Sequence, residues 1–192
     1  YGYDNFEATS FTTTFEGAIN QKKEDLIRNI KEYLAIRCGL QEVYTYPWMN
    51  DTFVNAVLQS TDGILKLSTP PAPDLSHIRS SLLPNLCEAV VKNERYFNDF
   101  SIFEEAQVFF DRNYTTPYDE TESLPEQRRH IGAAFASSVK NIDRLFRETK
   151  GVLEYMSRYT HMEALSFRKE EKPVWADQVV WLNVYRGEEK VG

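Results

Sequence analysis

Between Phe100 and Phe110 the chain carries apolar side chains on both parities of a two-residue repeat. Ile102, Glu104, Ala106, Val108 and Phe110 fall on one face of an extended strand; Phe103, Glu105, Gln107 and Phe109 fall on the other. A strand that is oily on both faces has to be covered on both, so this stretch predicts the central strand of a sheet. Just upstream the period changes. Leu82, Leu83, Leu86, Cys87, Val90 and Phe97 recur at helical spacings, with Glu88, Lys92, Asn93 and Arg95 on other faces. Ser80 or Ser81 is placed to cap this helix, and Pro84 is tolerated where amide donors are still free, so the helix is expected to start near Leu82 and to break at Asn98-Asp99.

The remaining elements are read in the same way. Asn20 predicts the N-cap of a helix striped by Leu26, Ile27, Ile30, Tyr33, Leu34 and Cys38, with Gly39 at the left-handed C-cap. Leu40 to Trp48 reads as a strand, Val43 and Thr45 alternating against Tyr44 and Tyr46 until Pro47. Asn50 or Asp51 caps a short helix bearing Phe53, Val54, Val57 and Leu58. Ile64 to Leu67 reads as a short strand, and Pro70 to Pro73 as a rigid turn. Asp111 to Gln127 has five acids against Arg112 and reads as a polar loop, followed by a return strand over Arg128–Ala136. Asn141 caps a helix striped by Ile142, Leu145, Phe146, Thr149, Val152, Leu153, Met156 and Tyr159. Gly151 inside it costs about 1 kcal/mol relative to Ala, so something is expected to pack close against it. Ala164–Phe167 and Val179–Tyr185 read as strands, and Arg186 to Glu189 as a turn into a further strand. The sum is an α+β fold with a mainly antiparallel sheet.

Composition excludes several roles. At 192 residues the chain can bury roughly 70% of its unfolded surface, enough for one core. A net charge of -7 argues against a self-sufficient nucleic-acid binder, which needs clustered Lys and Arg on phosphates. Cys38 and Cys87 lie in apolar helix patterns without metal-ligand spacing and read as buried free thiols of a reducing, cytoplasmic setting. No apolar run approaches a membrane span. His77, His130 and His161 have no partner at a metal-ligand spacing, and no phosphate loop, nucleophile elbow or calcium loop is present. Arg168-Lys169-Glu170-Glu171-Lys172 reads as a solvated loop. Glu104 and Glu105 point to opposite faces and cannot act as a pair. Glu104, among apolar neighbours, needs a cation, and Arg79 on the approach to the central helix is the candidate for a structural ion pair; a substrate contact is the alternative.

Arg79-Ser80-Ser81-Leu82-Leu83-Pro84-Asn85-Leu86, followed by Glu88-Ala89-Val90, resembles the R-x-S-L-L-P-x-L-x-E-A-V stretch of bacterial-type phenylalanyl-tRNA synthetase beta subunits. Tyr1-Gly2-Tyr3-Asp4, Gly39-Leu40-Gln41-Glu42-Val43 and Phe103-Glu104 resemble further motifs of that family in the same order. The resemblance implies a class II aminoacyl-tRNA synthetase-like antiparallel sheet flanked by helices, with 1–17 as the tail of a preceding domain and a connector, and 18–192 as a core truncated at its C-terminus. It also implies a catalytically inactive copy: no Arg or Lys stands between Phe100 and Phe110 to hold a nucleotide phosphate. On this resemblance the partners are the catalytic alpha subunit, in an (αβ)2 assembly, and tRNA(Phe). ATP and Mg2+ serve the holoenzyme, while no catalytic, cofactor or metal residue is carried by this fragment, whose isolated form is expected to self-associate through its partner face. The region Asn20 to Trp48 corresponds to the assembly element, with Tyr33, Tyr44, Tyr46 and Trp48 as candidate interface anchors. Trp175-Ala176-Asp177-Gln178 stands where the family commonly has an H-P-G-(R/Q)-(S/A) sequence. The competing reading is an active class II-like ligase or transferase with a site around Arg79, Glu104 and Arg128.

Overall fold

The computed structural model describes residues 2–192 except 8, 11, 15–16, 18–20, 59–60, 117–118, 140, 174 and 178–179, and describes residues 3 and 113–123 by backbone alone. Tyr1, Asn20, Gln178 and Val179, which entered the reading above, lie outside the described residues. Helix α1 spans Lys22–Glu32 and continues through a π-helical turn, Tyr33–Arg37, closed by the Cys38 N–H donating to Tyr33 C=O at 3.1 Å. Gly39 follows at φ +73°, the left-handed position its lack of a Cβ permits, and Leu40 N–H reaches back to Leu34 C=O. The next elements are β1 (Gln41–Glu42), β2 (Trp48–Met49), α2 (Asp51–Val57), β3 (His77–Ile78) and α3 (Leu83–Asn93). They are followed by β4 (Asp99–Thr116), β5 (Asp119–Ser137), α4 (Ile142–Tyr159), β6 (Leu165–Arg168), β7 (Asn183–Arg186) and β8 (Glu189–Lys190).

The described strands form three sheets, ordered β1-β4-β5, β2-β3 and β6-β7-β8, and not one. β4 is central in the first, as its two apolar faces require. One pairing departs from the antiparallel expectation: β1 joins β4 in parallel, Gln41 opposite Ile102 and Glu42 opposite Phe103. Each face of β4 meets its own cluster. Ile102 and Val108 pack with Leu82 and Leu86 of the α3 region, while Phe103 packs with Ile30, Tyr33, Leu34 and Leu40.

Several expectations are corrected. The reading of a strand from Leu40 to Trp48 fails beyond Glu42, because the chain leaves the β4 ladder after Val43 N–H bonds Phe103 C=O at 2.8 Å. Ile64–Leu67 is no strand; Lys66 makes only an isolated bridge to His77. Helix α3 begins at Leu83, with Ser81 Oγ accepting the Leu83 N–H, and it ends at Asn93, so Phe97 lies off the helix, 54% exposed and against Phe100. The stretch read as a polar loop over Asp111–Gln127 is largely ladder: Asn113 to Thr115 pair with Pro125 to Ser123 beyond an irregularity after Phe110. Both cysteines are free, but half-buried.

The caps at Asn50 and Asn141 are present, each side chain accepting a backbone N–H of the first turn, from Thr52 and Arg144. Gly151 is exposed, with nothing within 4 Å of a Cβ built there, contrary to the expected close packing. The close approach occurs at Gly132 of β5, where a Cβ would stand 2.8 Å from Leu86 Cδ1 and 3.3 Å from Leu82 Cβ. No described helix is long and apolar enough to cross a membrane.

Candidate interface and the polar hub behind it

Alternation along β4 turns Glu104 toward α3, and its side chain is only 1% exposed. A carboxylate so placed is tolerable only if every oxygen finds donors. Arg79 Nη1 lies 3.0 Å from Glu104 Oε1, Thr45 N–H donates to the same oxygen at 3.0 Å, and Thr45 Oγ1 donates to Oε2 at 2.8 Å. The structure thus brings together Arg79 and Glu104, with Thr45 as a third member that sequence reading did not name. Arg79 is itself 7% exposed and has further acceptors: its Nε donates to Gln107 C=O at 2.7 Å, and its Nη1 reaches Thr45 C=O at 3.4 Å. The inward parity of Thr45 was visible in the Val43/Thr45 alternation. Its partner, some sixty residues away, was not.

Asn85, in the first turn of α3, holds the next residues. Its Nδ2 donates to Tyr46 C=O at 3.2 Å and Trp48 C=O at 3.1 Å, while Arg79 N–H donates to Pro47 C=O at 2.8 Å. Outward from this backbone stand Tyr44, 77% exposed, and Tyr46, 69% exposed; the Tyr46 ring stacks on Trp48 at 4.5 Å. Together with Asn85, Glu88 and Lys92 these aromatic residues line a cleft of about 670 Å³. Glu88 and Lys92 are paired along the helix at 2.6 Å. Lys31 approaches the Tyr44 ring from α1, 5.8 Å from its centroid. Tyr33 does not belong to this face. Its ring is buried beside Tyr159, and its hydroxyl donates to Val152 C=O at 2.8 Å. Burial first, then Cys38, pushes the Tyr33 phenol up from its ordinary value.

On the opposite face Glu105 accepts from Arg129 Nε at 2.7 Å, and Arg129 Nη1 also bonds Glu24 of α1 at 2.7 Å. Arg128 is held by Glu126 at 2.6 Å and Arg112 lies 3.8 Å from the same carboxylate. Arg128 pairs in register with Val108, four residues along the ladder from Glu104, and shares no printed partner with it, so the three-residue site around Arg79, Glu104 and Arg128 is not assembled. Among the described residues no three His, Cys, Asp or Glu side chains converge as metal ligands. His77 Nδ1 is 2.8 Å from Asp51 Oδ1, tying β3 to the start of α2. The mixed-charge run after β6 is no solvated loop: Arg168 pairs with Glu188 at 3.0 Å, and Glu170 accepts from Tyr185 OH at 2.6 Å and Asn183 Nδ2 at 3.1 Å. Trp175 docks through its Nε1, which donates to Val57 C=O at 2.7 Å.

A central hairpin backed by helices, with its charges compensated internally, is an arrangement also found among the aminoacyl-tRNA synthetases. The chain shares its fold with pyrrolysyl-tRNA synthetase from Desulfitobacterium hafniense, at a TM-score of 0.63 and 13% identity over 87% of this chain and 56% of that one. A second structure of that synthetase gives 0.62 at 12% identity, covering 88% and 56%. Residues 7–192 match the model of the phenylalanyl tRNA synthetase beta chain CLM domain, and the chain belongs to that family. It is 25% identical over 177 residues to the phenylalanine–tRNA ligase beta subunit of Clostridium tetani, covering 90% of this chain and 21% of that one. To the beta subunit of Bacillus licheniformis it is 27% identical over 184 residues, covering 90% and 22%. The chain therefore spans about a fifth of the length of these relatives.

Proposed function

We propose that this chain is a non-catalytic core of the beta subunit of phenylalanine–tRNA ligase, with residues 18–192 as the core domain and 1–17 as the connector before it. In this reading it is cytoplasmic and pairs, through the 41–48 segment and its aromatic residues, with a catalytic alpha subunit in an (αβ)2 enzyme. That enzyme attaches phenylalanine to tRNA(Phe) using ATP and Mg2+. The observation that carries the non-catalytic part is the state of the hairpin's cations. A nucleotide site on a class II-like sheet needs a guanidinium free to meet phosphate oxygens. Arg112, Arg128 and Arg129, the described arginines of the hairpin, are each engaged by a carboxylate of the chain itself, and Arg79 is engaged by Glu104. The face of β5 at Gly132 is filled by Leu82 and Leu86, which supports the same reading. With a net charge of -7, tRNA contact is assigned to other parts of the assembly.

Calorimetric titration of the chain with ATP and Mg2+, with and without phenylalanine, tests this directly. No binding heat, together with co-purification on the alpha subunit, is the expected result. Saturable binding below about 1 mM, roughly 4 kcal/mol of affinity, lost on Arg79→Ala, would establish an active site here instead.

A further inference from the structure

We propose that Glu104, with Arg79, Thr45 and Asn85, is a positioning group for the subunit interface: it fixes the backbone of residues 45–48 so that Tyr44 and Tyr46 are held ready for the partner. The inference rests on the reading of this chain as the beta-subunit core that docks on an alpha subunit. It starts from an anomaly in how the segment is held. An edge strand normally keeps its shape through a ladder, and here the ladder is two residues long and ends with the bond from Val43 N–H to Phe103 C=O. From Thr45 to Trp48 the anchors come from outside any ladder. Thr45 N–H is taken by the Glu104 carboxylate, and Thr45 C=O by the Arg79 guanidinium. Pro47 C=O is taken by the Arg79 amide, and the carbonyls of Tyr46 and Trp48 by the Asn85 amide group.

Four consecutive residues thus depend on three polar side chains, all of them nearly inaccessible to solvent. Each contact reaches across to a different element: Glu104 on β4, Arg79 between β3 and α3, and Asn85 on α3. What they hold in place is the backbone bearing the two aromatic rings most exposed to water in this part of the molecule. A tyrosine has few rotatable bonds, so once its backbone is fixed, little freedom is left to lose on docking. A hub that removes backbone freedom before the encounter raises affinity without touching the partner. Glu104 is the common member, because it binds both Thr45 and Arg79.

The test uses the full-length beta chain with its alpha subunit, measuring the association constant and amide exchange by mass spectrometry. Glu104→Gln keeps the shape of the side chain and removes its charge; Thr45→Val removes a single hydroxyl and serves if the first variant does not fold. Either is expected to weaken association at least tenfold and to accelerate exchange at 44–47, with protection of the 30–34 helix unchanged. The decisive arm repeats each substitution in a Tyr44→Ala/Tyr46→Ala background, where the expected further loss is under threefold, because the rings being positioned are gone. An equal loss in both backgrounds, or unchanged association while the double alanine variant is impaired, overturns the positioning role and leaves the interface reading standing. Unimpaired association of the double alanine variant overturns the interface reading and the positioning role together.

Discussion

Glu104 and Glu105 are neighbours on β4, chemically alike and each answered by an arginine, yet they sit in different physical regimes. Glu104 is 1% exposed and Arg79 8%, whereas on the other face Glu105 is 9% exposed, Arg129 29% and Glu24 46%. The first pair has no water to fall back on, so its worth lies in mutual completion: the gain over an apolar substitute is small, but loss of one member strands the other. The second pair keeps one side in solvent and behaves as a surface network, modest and sensitive to salt. Alternation along a strand, one residue's difference in parity, decides which regime a carboxylate enters.

The largest effect that can break this contrast is Arg79→Met. It leaves Glu104 with Thr45 alone and is expected to lower unfolding stability by about 3–5 kcal/mol, read from urea denaturation and unchanged in 1 M salt; a loss under 1 kcal/mol would place the hub in the surface class. Next is Gly132→Ala on the Glu104 face, whose new methyl would crowd Leu86 and Leu82 and is expected to cost about 1–3 kcal/mol, with a lowered thermal midpoint as readout. On the opposite side, Arg129→Met is expected to cost about 1 kcal/mol in dilute buffer and clearly less in 1 M salt. Salt insensitivity there would show the two networks to be the same in kind. The smallest change has the other sign. Gly151→Ala, at an open helical position, should stabilise by a little under 1 kcal/mol, visible as a slightly raised midpoint.

Features of this chain that are local in sequence could be read from it. Asn50 and Asn141 declare helix starts because the cap is made within three residues, and Gly39 declares a helix end because only its own φ is at issue. The central position of β4 followed from two apolar parities. What escaped depends on distant partners. Thr45 and Asn85 gave no sign of their bonds, since a threonine and an asparagine have the same spelling in a loop as in a hub. The hairpin beyond Phe110 is polar and so lacks the alternation that marks a half-buried strand, yet its backbone pairs across the ladder regardless. The two glycines are the sharpest instance. Helix propensity drew attention to Gly151, where nothing packs, while Gly132, which admits the α3 leucines, sits in a strand whose cover cannot be seen from its own neighbours. Tyr33 likewise joined the other aromatics by residue type and left them by burial.

The π-helical turn after α1 bears on how this stretch tolerates changes in length. Closing from Cys38 to Tyr33, it winds one more residue into the turn than an α-helix does. At 3.6 residues per turn, one residue is worth about 100° of rotation. Deleting any one of residues 34–37 would let the helix relax into regular winding, but would deliver Gly39 and β1 rotated out of phase. Glu42 would then lose Lys31, from which it stands 2.5 Å, and Leu40 would leave its seat beside Phe103. An insertion would err in the opposite sense. The number of residues between Tyr33 and Gly39 is therefore a phase setting for everything downstream, one that substitution scanning would never register and a single-residue deletion would expose at once.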